Sequence, residues 1–187
     1  MFYFEANRME SQDNKGLLRH LKIVDGDGNA VSEVKPGSLV TITGLATNDI
    51  YGTIKNLSTY TATAPAALTD VIVIVDPDEV PATKVDGNIY KFIPLNYGIS
   101  ADGNKPLRGR VVKVDDIFTF SDENFVSAPT VGQFATATAG KHTYTPAADL
   151  SVALPTGGFA VKIEEAYNAT TGAEMGFLKY VCRVVQI

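Results

Sequence analysis

The residues of this chain with types suited to chemistry are few and scattered. Asp25-Gly26-Asp27-Gly28-Asn29 sets oxygen-bearing side chains at alternate positions, as the first half of a calcium loop does. The pattern then breaks: Ala30 stands at the sixth position, where the sharp turn needs glycine, and Pro36 at the twelfth, where a bidentate glutamate belongs. The same five residues lie between Leu21-Lys22-Ile23-Val24 and Ala30-Val31, and Gly and Asn adopt positive φ at little cost, so a hairpin is expected there. Gly140-Lys141 has the outline of a phosphate loop. Gly132 is too far upstream for it, His142 stands where a magnesium-holding Ser or Thr would, and no helix follows.

His20, His142 and Cys182 are far apart and lack partners at metal-ligand spacing, and no nucleophile elbow is present. Cys182 sits in the apolar run Phe177 to Val185 and reads as a core thiol. Acids recur at Asp76, Asp78 and Glu79, at Asp115 and Asp116, at Asp122 and Glu123, and at Glu164 and Glu165. Two of them could form a glycosidase pair, which needs carboxylates about 5 to 10 Å apart. Most sit among turn residues, where carboxylates are hydrated, and the chain has no Trp to stack on a sugar. A basic group at Lys105, Arg108, Arg110 and Lys113 reads first as a solvated linker and second as a docking point for an acidic partner. The expected inventory is therefore no catalytic, no cofactor-binding and no metal-binding residue, and no cofactor. An enzyme is not expected.

The elements that would carry these residues are strands. Short runs rich in Val, Ile, Thr, Tyr and Phe alternate with Gly, Pro, Asn and Asp from Leu17 onward. Strands are expected over Leu18 to Val24, Ser38 to Thr43, Ile50 to Ile54, Val71 to Val75, Ile89 to Ile93, Arg110 to Val114, Ile117 to Phe120, Gln133 to Thr138, Phe159 to Tyr167 and Gly176 to Val185. The Ala/Thr-rich stretch Thr59 to Thr69, with Pro65, suggests a loop. Fold class is mainly β, with small barrel or sandwich modules. Residues 1–16, with aromatics at Phe2, Tyr3 and Phe4, read as an N-terminal arm that docks on its own domain or on a neighbour. The turn formers between Tyr97 and Arg110 suggest a boundary separating a β-rich domain at 17–106 from a second, barrel-like one at 107–187, with one continuous domain as the alternative.

Composition narrows the function classes. With 45% hydrophobic and 20% charged residues and a mean hydropathy of +0.04, the 187-residue chain is of ordinary globular type. The N-terminus lacks the apolar stretch of a secretory signal, and the aliphatic run Val71 to Val75 is far shorter than the roughly 20 residues that span a bilayer. No membrane partner is expected. A net charge of -5 creates no overall attraction for a phosphate backbone, so no general nucleic-acid partner is expected either.

Gly109-Arg110-Val111-Val112-Lys113-Val114-Asp115-Asp116-Ile117-Phe118-Thr119-Phe120-Ser121 resembles a segment of the decoration, or auxiliary head, proteins of tailed bacteriophages. There an aliphatic-basic strand leads into a short Asp-Ile-Phe-Thr strand. Val131-Gly132-Gln133-Phe134-Ala135 is similar to that family's Val-Gly-x-Tyr/Phe-Val element, and Phe159 to Glu165 with Tyr180 to Val185 to its closing strands. One departure is Asp115, which stands where glycine is expected before Asp116. The resemblance covers about residues 109–187. It implies a homo-oligomeric virion structural protein on the capsid surface, made in the host cytoplasm, with the major capsid protein as partner. The rival function class is a β-sandwich adhesion or carbohydrate-binding module.

Overall fold

The structure, a computed structural model, describes residues 4–31, 34–47, 55–67, 70–76, 83–85, 88–90, 107–153, 158–168 and 178–187. The chain is mainly β. Strands β2 (Leu18–Ile23), β3 (Leu39–Thr47), β4 (Lys55–Thr63), β5 (Ile72–Asp76) and β8 (Leu107–Val111) close a barrel in the order β2-β4-β3-β5-β8. A six-stranded sheet has the order β1-β9-β13-β12-β10-β11, with β1 (Phe4–Arg8), β9 (Ile117–Ser121), β10 (Phe134–Ala137), β11 (Tyr144–Ala147), β12 (Ala160–Asn168) and β13 (Leu178–Gln186). A small hairpin pairs β6 (Thr83–Val85) with β7 (Asn88–Tyr90). Helices α1 (Glu10–Asp13) and α2 (Leu150–Ala153) are single turns.

Alternation along β5 explains how the two layers join. Val73 and Val75 point into the barrel core with Leu21, Ile23, Val40, Ala62 and Leu107. Ile72 and Ile74 point the other way, with Leu39, into a second core built on Phe118, Phe120, Tyr144, Tyr180 and Cys182 of the sheet. Both faces of β5 are thus covered, which is why its sequence is an unbroken aliphatic run rather than an alternating one.

Two of these expectations change, and a third is decided. Thr59–Thr63 is strand, not loop, because Ala62 faces the barrel core and Tyr60 packs against it, while the intervening Thr residues suit a pleated surface. The boundary does not fall at 107: β8 pairs with both β2 and β5 and seals the barrel, so the chain leaves the barrel only after Val111. Turn-forming residues marked the approach to β8, not the end of its domain. Of the two places expected for the N-terminal arm, residues 4–8 take the one on their own chain: they pair with β9 as the outer strand of the sheet, and Phe4 is buried against Phe118 and Phe120. Phe2, Tyr3, Lys105 and the strand expected at Ile50 to Ile54 lie outside the described residues. Of Ile89 to Ile93, only Ile89 and Tyr90 are described, within β7.

The sheet has two outer strands. β1 carries a register shift between Ala6 and Arg8, and β11 contains Pro146, which has no N–H to offer.

Candidate functional site

The hairpin at residues 25–29 forms as its turn residues imply, with Val24 bridged to Ala30 and the Asp25 N–H donating to the Asn29 carbonyl. Asp25 turns its carboxylate inward on its own turn. It accepts the N–H of Asn29 at 2.9 Å and of Asp27 at 3.0 Å, and these bonds, led by that from Asn29, hold the carboxyl below its ordinary value. The oxygens that resembled a calcium loop are consumed by the turn.

This turn forms one wall of a cleft of about 550 Å³. Thr63 and Ala64, at the end of β4, form a second wall, and Gly140 and His142 a third. The two motifs set aside in sequence therefore meet in space. His142 ties the sheet to the barrel: its Nδ1 lies 2.8 Å from the Leu39 carbonyl, which only accepts, so Nδ1 donates. The Gly140 N–H donates to the Pro65 carbonyl at 2.7 Å, so backbone that a phosphate would need is already engaged. Among the described residues, no Phe, Tyr or Trp lines the cleft.

Asp76, Arg108 and Arg110 form a charged group. Asp76 accepts Arg110 Nε at 2.6 Å and lies 2.9 Å from Arg108 Nη2; Arg110 Nη1 also donates to Ser11 Oγ at 3.2 Å. The two arginines belong to a barrel strand, not to a solvated linker, and the carboxylate that organises them is distant in sequence. Only the pairing of β5 with β8 brings it there.

Several of the other acids also have structural work; Asp78 and Glu79 lie outside the described residues. Asp116 is buried and accepts the Glu10 N–H and the Lys113 N–H, each at 2.8 Å. Burial pushes its carboxyl above the ordinary value, and the two donated bonds only partly offset that. Glu164 pairs with Arg183 across the β12–β13 ladder and lies 3.7 Å from Lys162. Asp122 opens a short 3-10 turn, Asp122–Asn124, whose Asn124 donates to the Pro36 carbonyl of the barrel at 2.9 Å. Cys182 is fully buried, and burial pushes its thiol far above the range of a reactive cysteine. His20 is exposed on β2. Among the described residues, no three His, Cys, Asp or Glu converge as metal ligands would. No helix among them is long and apolar enough to cross a membrane.

Compared with protein-family models, curated proteins and solved structures, the chain matches none.

Proposed function

We propose that this chain is a virion structural protein that decorates or cements the capsid shell of a tailed bacteriophage. Its partners are the major capsid protein and copies of itself, and its place is the outer capsid surface. The observation that carries the reading is Asp115. The family pattern has glycine there, and Asp115 has φ of 71°, the left-handed conformation that glycine adopts without penalty. The departure in sequence thus falls where the backbone still has the geometry the pattern requires. The rest of the resemblance runs from the end of barrel strand β8 onto β9, β10, β12 and β13 of the sheet. Such a role needs surfaces and a stable scaffold rather than a reacting group, and the acids, arginines and histidine examined above are engaged in holding the scaffold together. Co-sedimentation of the purified chain with phage heads that lack it tests the proposal. Saturable binding at a fixed ratio to the shell protein is expected; a chain left in the supernatant at all ratios overturns it.

A further inference from the structure

One face of the six-stranded sheet supplies the core: on β9, β12 and β13 it carries Phe118, Phe120, Val161, Ile163, Tyr180 and Cys182. The residues that alternate with these point to the opposite face. A sheet face turned to water is normally mostly polar, yet Ile117, Phe134 and Val181 lie half-buried on this one. Six strands about 4.8 Å apart make the face wide enough for an interface of standard size, about 800 Å² per partner.

Strand register sorts the side chains of this face into two neighbouring cross-strand rows. The first reads Arg8, Ile117, Arg183, Lys162 and Phe134. The second reads Glu5, Thr119, Val181 and Glu165. The Gly132 N–H donates to the Ile163 carbonyl, which sets Val131, 51% exposed, beyond Glu165 at the β10 end of the second row. The rows are opposite in charge. In the first, Arg183 and Lys162 share the one carboxylate of Glu164, from the bulge between the rows, and Arg8 adds a further cation. In the second, both charged residues are carboxylates. The relief is complementary as well. Ile117 is half-exposed, whereas Thr119 is fully buried and makes a low point in its row, its hydroxyl donating to Asn7 Oδ1 at 2.7 Å.

We infer that this face is a homodimer interface, occupied by a second copy of the chain. A two-fold axis lying in the face, parallel to the rows and midway between them, lays the first row of each copy on the second row of the other and keeps position along the row. Arg8 then meets Glu5 of the second copy, Lys162 meets Glu165, Ile117 enters the low point at Thr119, and Phe134 meets Val131. Arg183, already paired with Glu164, covers the apolar Val181 with its stem. Each contact occurs twice, and the pairing closes on itself without growing further. The inference concerns where copies meet and is independent of whether they bind a shell.

The test is sedimentation equilibrium of the full chain over a concentration series up to its solubility limit. A monomer-dimer equilibrium ending at twice 20.0 kDa is expected. Lys162→Glu and Glu165→Lys, each with an unchanged melting temperature, weaken the dimer at least tenfold on their own. Mixing the two variants restores it, because a pair made of one copy of each again sets opposite charges at both contacts of residue 162 with residue 165. Should Lys162→Glu fail to fold beside Glu164, Arg8→Glu mixed with Glu5→Lys makes the same exchange at the β1 end. A wild type that stays monomeric, a plateau at three or more copies, an unweakened dimer of the folded single variants, or a mixture that does not recover overturns the inference. A dimer that leaves phage heads unbound overturns only the decoration reading, and capsid binding by a strict monomer overturns only this one.

Discussion

Tyr144 lies at the centre of the sheet core, its ring 4.5 Å from that of Phe120 and 5.4 Å from that of Phe125, and its hydroxyl is buried without a hydrogen-bond partner. A buried hydroxyl left unpaired costs about 1 to 3 kcal/mol, so Tyr144→Phe should stabilise the fold by about 1 kcal/mol or more. A rise in the denaturant midpoint at unchanged slope checks this; a fall would mean that the hydroxyl is paired. Asp116 gives a second expectation, with a definite sign. Its folded pKa is raised, so its proton-linked contribution to stability is fully present below the unfolded value of 3.8 and is lost as pH rises through the folded value. The stability of the wild type relative to Asp116→Asn should therefore increase on going from neutral pH to pH 4. Denaturant titrations of both proteins at the two pH values measure that difference, and a constant or shrinking one contradicts it. Neither role was legible in the residues themselves. Tyr144 is one of eight tyrosines, and Asp116 has the sequence context of an ordinary turn acid. Burial separates them from the rest, and burial depends on contacts distant in the chain.

At the level of elements, the strands with β-branched or aromatic character on both sides of a turn were readable, and β2, β5, β9, β12 and β13 lie within two residues of their expected bounds. β4 was obscured because its alternation is written in Ala and Thr, which lack the hydrophobic contrast that marks a half-buried strand. β1 was obscured because it is a strand only by virtue of β9, a partner at the far end of the chain. This matters for what the first residues do. Phe4 is 6% exposed and packs on Phe118 and Phe120, and burying such a side chain contributes about 1.5 to 3 kcal/mol. Deleting Met1 to Arg8 should therefore lower the melting temperature of the isolated chain by roughly 5 to 10 °C, since 1 kcal/mol corresponds to about 2 to 4 °C at this size. An unchanged melting temperature with weaker self-association would instead assign the segment to contacts between copies.

For the whole molecule, the joint between barrel and sheet was the least readable feature, because nothing in a one-dimensional pattern says which outward face of a barrel another layer will cover. Gly37 marks that joint. Lys35, Pro36, Gly37 and Ser38 form a tight turn closed by the Ser38 N–H on the Lys35 carbonyl, with Gly37 at φ of 78°. A Cβ there would come within 2.8 Å of both the Phe120 ring and Asn124 Nδ2. Gly37→Ala should cost about 2 to 4 kcal/mol from backbone strain and overpacking together. Because one core spans the joint, calorimetry should show a single transition moved down as a unit; two separated transitions would show that barrel and sheet unfold independently. The outer strands of the sheet have a consequence of another kind. A shell protein is made in many copies and crowded at high local concentration before it is placed, the condition under which exposed strand edges recruit one another into fibres. The register shift in β1 and the proline in β11 spoil both edges as templates, so, if the chain has the proposed role, its copies could be crowded together without polymerising and would recognise one another through side chains rather than through shared backbone ladders.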